Sequence, residues 1–111
     1  MYKISAIKNK RKKNFEKKQR LNAFYLRNKF LGEWAAATLG LDEIKKRIYV
    51  KKIIRPGLKE EHNKFVIKKI EKDFIKNNIK INYKEIELKV TNFQIKANII
   101  VENEFKLNNR Q

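Results

Sequence analysis

From Leu21 onward apolar residues recur at three- and four-residue steps; before it they are sparse. Leu21, Phe24, Tyr25, Asn28, Leu31, Ala35 and Leu39 fall on one face at helical spacing, the pattern of an amphipathic helix. Ala35, Ala36 and Ala37 strengthen it, because alanine loses no side-chain entropy in a helix. Gly32 interrupts the run at a cost of about 1 kcal/mol relative to alanine, so it is expected where another helix comes close. Gly40 suits the left-handed residue that ends a helix, Leu41 the apolar contact that accompanies it, and Asp42 the N-cap of the next segment.

That next helix is expected to run to Ile54, burying Ile44, Ile48 and either Val50 or Ile53. Arg55-Pro56-Gly57 should break it, since Pro56 disfavours helical geometry at Arg55. A third helix presents Val66, Ile67, Ile70 and Phe74 inward and stops at Asn77-Asn78, asparagine being tolerant of positive φ. Ile79-Lys80-Ile81 forms a short extended link. Asn82 and Glu85 have capping-box spacing, and Ile81 with Ile86 supplies the hydrophobic staple. Beyond it Ile86, Val90, Phe93, Ala97 and Ile100 alternate steps of four and three. Leu88, Ile95 and Ile99 widen that stripe, and from Glu102 the pattern fades. Four amphipathic helices with short links predict an all-α four-helix bundle. The expected division is a flexible basic segment over 1–20, a four-helix domain over 21–103 and a polar tail over 104–111.

Composition narrows what such a bundle can do. A chain of 111 residues makes one domain, and 3 Gly with 1 Pro are too few punctuators for a strand-and-turn protein. With no cysteine, thiolate metal sites and disulfides are excluded, and the single His62 sits in a charged run that reads as surface. No Gly-rich phosphate loop, paired histidines or nucleophile beside a base is present. The carboxylates Glu60, Glu61, Glu71, Asp73, Glu85 and Glu87 each have lysine nearby and read as solvated ion pairs. The chain is therefore expected not to be an enzyme, and to need no cofactor or metal.

The net charge is +17, which by itself suggests nucleic acid or an anionic membrane. Yet 23 of the 29 basic residues are lysine, whereas base and phosphate readers favour arginine's bidentate fork. Lys, Ile and Asn together make 51 of the 111 residues, as A/T-rich coding would produce. Part of the charge is then background, and only weak, non-specific nucleic-acid binding is expected. No apolar run reaches the roughly 20 residues of a membrane span, and the basic N-terminus lacks a signal-peptide core. A cytoplasmic protein is expected. Residues 3–20 carry nine Lys and Arg against the single Glu16. Such a segment cannot bury itself and should be disordered, or a frayed helix, until a partner orders it. Phe15 is its one large aromatic side chain and natural anchor, with Lys12, Lys13, Lys17 and Lys18 able to meet an acidic surface.

The most specific string is RNKFLGEWAAATLGL, residues 27–41. Trp34, flanked by small residues, suits a packed helix crossing or a partner anchor. This string resembles the signature of the zeta-type inhibitor subunit of bacterial F-type ATP synthases. The shared elements are Arg27-Asn28-Lys29, Phe30-Leu31-Gly32, Trp34-Ala35-Ala36 and Leu39-Gly40-Leu41. A weaker likeness extends over residues 15–100, through Tyr49 to Ile54, Pro56-Gly57, Lys72-Asp73-Phe74 and Glu85-Ile86. The resemblance implies a four-helix regulatory protein that binds the catalytic head of ATP synthase, its N-terminal segment entering a nucleotide-site interface and blocking hydrolytic rotation. It marks Gly32, Trp34, Ala35 and Gly40 as structural signature positions. It also places Lys12, Lys13, Phe15, Glu16, Lys17, Lys18, Arg27 and Asn28 among the expected partner contacts. The N-terminal segment departs from the family in being nearly all lysine, and only Asn14-Phe15-Glu16-Lys17 resembles its usual alanine-phenylalanine-glutamate stretch. That departure bears on the strength of inhibition. The alternative reading is a basic helical nucleic-acid-binding protein, supported by the cluster Lys8 to Arg20 with Phe15, Phe24 and Tyr25. A third is a membrane-surface tail using Ile4 and Ile7.

Overall fold

Helix α1 (Tyr2–Thr38) is a single rod of 37 residues. At 1.5 Å per residue it is about 55 Å long, which accounts for most of the 63 Å long dimension of the molecule. The computed structural model describes residues 2–57 and 63–109, with side chains over 16–56 and 63–108. The remaining helices are α2 (Glu43–Gly57), α3 (Lys64–Lys76) and α4 (Tyr83–Asn109). Among the described residues there is no strand. The all-α four-helix architecture stands as expected, with α2 and α4 both laid along α1 and α3 packed on α2 and α4.

The helix ends follow from local chemistry. Gly40, at φ 73°, closes α1. Its N–H bonds the Ala37 carbonyl at 3.0 Å, and the Leu41 N–H bonds the Ala36 carbonyl at 3.1 Å, the paired bonds of a Schellman stop. Asp42 then caps α2, its carboxylate accepting from the Lys45 N–H at 2.9 Å. Asn78, at φ 59°, repeats the device at the end of α3. There the Ile79 N–H reaches back to the Phe74 carbonyl at 2.9 Å and the Asn78 N–H to Ile75 at 3.2 Å. Leu41 and Ile79 are each carried by these stops onto the core. At the start of α4 the Asn82 side chain accepts from the Glu85 N–H at 3.0 Å. The Glu85 carboxylate accepts in return from the Asn82 N–H at 3.2 Å, completing the capping box.

The main core gathers Leu31, Ala35 and Ala36 of α1, Tyr49 and Ile53 of α2, Val66, Ile67, Ile70 and Phe74 of α3, and Ile86 and Val90 of α4. A smaller cluster of Ala23, Ala97 and Val101 continues between α1 and α4. These two helices run antiparallel: Trp34 meets Lys89, Phe30 meets Phe93 and Arg27 meets Gln94. On α3 the inward stripe is the expected one.

Elsewhere the faces differ from the sequence reading. Ile44 and Ile48 are exposed; α2 buries Ile53, as expected, and with it Tyr49. A helix turns about 100° per residue, so Ile48 and Val50 stand roughly 200° apart and cannot share one face. Val50 faces Gly32 of α1, which leaves Ile48 outside. On α1, Leu21 and Tyr25 are exposed and Ala23 and Arg27 are buried, because a helix with two neighbours buries a stripe displaced towards the second. Leu88, Ile95 and Ile99 are likewise exposed on α4. Helix α2 continues through Pro56 to Gly57, and α4 runs to Asn109, through residues whose apolar pattern has faded. Helix α1 already begins at Tyr2, so the basic segment and the core helix are one continuous backbone. His62, Glu60 and Glu61 lie outside the described residues.

Candidate functional site

The signature string occupies the part of α1 that both α2 and α4 touch. Its glycine is a point of close approach. A Cβ built on Gly32 would stand 3.1 Å from the Val50 Cα and 3.4 Å from the Ile53 Cβ, both in α2. Trp34 is half-buried and meets Phe74 edge-on, with ring centroids 5.5 Å apart at 75°. Lys89 covers its other side, the ammonium 5.6 Å from the ring centroid. Ala35 and Ala36 are buried, which lets the backbones approach.

Lysine covers aromatic rings elsewhere too. Lys96 lies 4.3 Å from the Phe30 ring centroid, and Lys69 lies 5.6 Å from that of Tyr49. Each aliphatic stem shields ring surface while its ammonium sits over the negative face and reaches water. Part of the +17 charge is thereby built into the fold.

Tyr49 marks the α2–α3 contact. Its hydroxyl donates to the Asp73 carboxylate at 2.9 Å, and Lys69 pairs with the same oxygen at 3.3 Å. Burial, then the hydrogen bond to Asp73 and its charge, push the Tyr49 hydroxyl far above the usual tyrosine range. The folded chain therefore keeps a proton that the unfolded chain loses above about pH 10. Stability from this group is fully present below that pH and falls as pH rises further. Urea unfolding of the chain and of Tyr49→Phe at pH 8 and pH 11 checks this. The parent should be more stable by about 1 kcal/mol at pH 8 through the hydrogen bond, and the gap should shrink or reverse at pH 11. A gap that stays constant would refute the assignment.

The remaining polar cluster lies at Arg27. Its guanidinium is buried, 2% exposed, and Asn28 beside it is fully buried. The Nε donates to the Asn28 Oδ1 at 3.1 Å and the Nη1 to the Gln94 Oε1 at 2.9 Å. The Phe24 ring lies beneath, 4.8 Å from the guanidinium carbon. Arginine can only donate, so Asn28 must turn its oxygen towards it. That leaves the Asn28 Nδ2 and the Arg27 Nη2 buried with no hydrogen-bond partner. Desolvation lowers the Arg27 pKa, but a guanidinium remains charged. Arg27 lines a cleft of about 500 Å³ between α1, α4 and the start of α3, with Arg20, Asn63, Gln94 and Asn98 on its walls.

Of the partner contacts expected from sequence, Glu16, Lys17 and Lys18 are exposed on α1. Lys12, Lys13 and Phe15 have side chains outside the described residues. Arg27 and Asn28 are both buried, and Arg27 is among the residues that line the cleft. Among the described residues no group of three or more His, Cys, Asp or Glu is placed to hold a metal ion. Nor is any described helix long and apolar enough to cross a membrane. A second surface, missed by the sequence reading, is the groove where Tyr25 and Ile48 lie among Lys51, Lys52 and Arg55. The sequence pattern hides it because Ile48 reads as an inward position, whereas it is exposed.

The family model described as ATPase inhibitor subunit zeta matches residues 5–99. No curated protein and no solved structure matches the chain.

Proposed function

Because this chain belongs to the ATPase inhibitor subunit zeta family, we propose that it is a regulatory subunit that docks on the catalytic head of F-type ATP synthase and restrains ATP hydrolysis. The family match over residues 5–99 carries the reading. The continuity of α1 supports a division of labour within it. One helix bears the basic segment at its N-terminal end and, from Ala23 onward, the residues that anchor it to α2 and α4. A segment inserted into a partner would thus be held at a fixed angle to the bundle. Glu16, Lys17 and Lys18 stand exposed at the junction, where lysines can meet acidic surface and raise the rate of encounter. Phe15 is the anchor. The nucleic-acid reading gains nothing from the family match, and lysines are distributed over all four helices. The proposed role is regulatory and non-catalytic, exercised on the cytoplasmic side where the head stands.

The test measures ATP hydrolysis by the cognate synthase with three proteins: the full chain, the chain lacking residues 1–20, and Phe15→Ala. The full chain should inhibit and the deletion should not. Phe15→Ala should weaken inhibition by about 30-fold, the effect of losing one hot-spot aromatic of about 2 kcal/mol. Equal inhibition by all three would exclude the segment as the inhibitory element. A full chain that co-purifies with the synthase without inhibiting it would show docking retained and blocking lost, which is the outcome that the lysine-rich divergence bears on.

A further inference from the structure

We propose that the outer face of α2, with the adjoining stripe of α1, docks on an anionic lipid surface. Helix α2 buries Tyr49 and Ile53 and turns Ile44 and Ile48 outward, 74% and 51% exposed. At about 100° per residue, Ile44, Ile48, Lys51 and Arg55 fall within roughly 60° of one another, on the side opposite Ile53. All four are exposed. On α1, Lys18, Leu21, Tyr25 and Lys29 follow at three- and four-residue steps, with Leu21 and Tyr25 exposed. The two helices share this side, since Tyr25 and Ile48 line one groove with Lys51, Lys52, Ile54 and Arg55. Apolar side chains thus stand singly among cations.

Charge selects what covers them. Helix α2 carries six Lys and Arg against Glu43 alone, a net +5. Residues 58–62, which follow it in sequence, carry Lys59 against Glu60 and Glu61, so one net negative charge leaves that sign unchanged. Helix α4 makes the contrast. It also exposes Leu88, Ile95 and Ile99, yet its four lysines are matched by four glutamates. Exposed apolar groups and strong positive charge therefore coincide on α2, not on α4. An acidic protein is the other anionic surface such a face could meet. Protein interfaces, however, are depleted in lysine, whereas four of the six α2 cations are lysine. Lysine stems lie along apolar surface and carry the ammonium to headgroup level, while isoleucine and tyrosine enter the boundary of the acyl chains. The surface potential of an anionic leaflet draws in clustered cations within a Debye length. The contact is peripheral, for no described helix is long and apolar enough to cross a membrane.

The chain has no cysteine, so one introduced cysteine carries a single environment-sensitive fluorophore. Ile48→Cys and Ile99→Cys, each labelled in the full chain, report on the α2 and α4 faces. Both positions are more than half exposed, so the label leaves the core intact. The probes are phosphatidylcholine vesicles with about 30 mol% phosphatidylglycerol, anionic as the proposal requires, and vesicles of phosphatidylcholine alone. The expected result is a saturable blue shift from Ile48→Cys on the anionic vesicles only, none from Ile99→Cys, and a response that fades as salt rises. Adding Lys51→Gln and Lys52→Gln should raise the lipid needed by about 25-fold, roughly fivefold for each cation lost from the surface. If the basic segment over 1–20 alone held the vesicles, they would sediment with the chain while the Ile48→Cys label stayed in water, which overturns the proposal. Equal shifts from both labels, or a shift on neutral vesicles, overturn it as well. An Ile48→Cys label that answers to isolated ATP synthase head and not to vesicles would give the face to a protein and overturn it too. Lipid docking does not depend on the regulatory role, because the vesicles contain no ATPase, and either reading survives failure of the other.

Discussion

Phe74→Ala should destabilise the chain by about 4 kcal/mol, within the 3–5 kcal/mol range of buried phenylalanine truncations. Small domains have total stabilities of about 5–15 kcal/mol, so the loss is a large fraction of what holds this one together. Phe74 is fully buried on α3 and meets Trp34 edge-on. Helix α3 has 13 residues, a length at which an isolated helix is marginal in water. It stays helical because Val66, Ile67, Ile70 and Phe74 are buried together. Removing the largest of the four leaves a cavity beneath the indole that the rigid α1 backbone cannot collapse to fill. Chemical denaturation followed by Trp34 fluorescence reads both consequences, a lower midpoint and an altered native emission. A midpoint change worth under 1 kcal/mol with unchanged Trp34 emission would mean that α3 is not docked as described.

Helix α3 is also where sequence and structure agree most closely, and the reason is instructive. Its stripe is unbroken, Val66, Ile67, Ile70 and Phe74 at three- and four-residue steps, and its stop has specific chemistry in Asn77-Asn78. The stops and caps at Gly40, Asp42, Asn78, Asn82 and Glu85 were legible for the same reason: they depend on a few neighbouring atoms and on φ, not on distant partners. Helical faces were less legible. Isoleucine is abundant here, and Ile44, Ile48, Ile75, Ile95 and Ile99 are each more than half exposed. In such a background isoleucine is a poor marker of burial, and small residues such as Ala23 and Ala97 mark the α1–α4 contact better.

The Arg27 cluster was legible in position but not in burial. Arg27 lies three residues after Phe24 and four before Leu31, in phase with the buried stripe. Its charge spoke for the surface, and that inference fails when Asn28, Gln94 and a ring beneath supply partial compensation. The family signature thus reports two different things. Gly32, Ala35, Ala36 and Gly40 serve helix packing and helix termination. Arg27 and Asn28 lie buried in the same string, the guanidinium held by the amides of Asn28 and Gln94 over the Phe24 ring.

Gly32→Leu should cost about 3 kcal/mol, the upper part of the 1–3 kcal/mol that overpacking commonly costs. The reason lies in what the added atoms would meet. A Cβ at position 32 already stands 3.1 Å from the backbone Cα of Val50, and backbone cannot swing aside as a long side chain can. Leucine places three further carbons beyond that point, so α1 and α2 must separate and strip contacts from Val50 and Ile53. Gly32→Ala separates this steric effect from helix propensity. Alanine gains about 1 kcal/mol over glycine inside a helix, and the tight contact asks α2 to yield by only a few tenths of an ångström. The two effects oppose each other, and the net change should lie within about 1 kcal/mol of zero. Urea denaturation of the three proteins should therefore show parent and alanine variant with close midpoints and the leucine variant well below both. Equal midpoints for parent and leucine variant would place the α1–α2 crossing elsewhere. A leucine variant that unfolds with a smaller m-value would instead show α2 already detached in its native state, since m follows the surface exposed on unfolding.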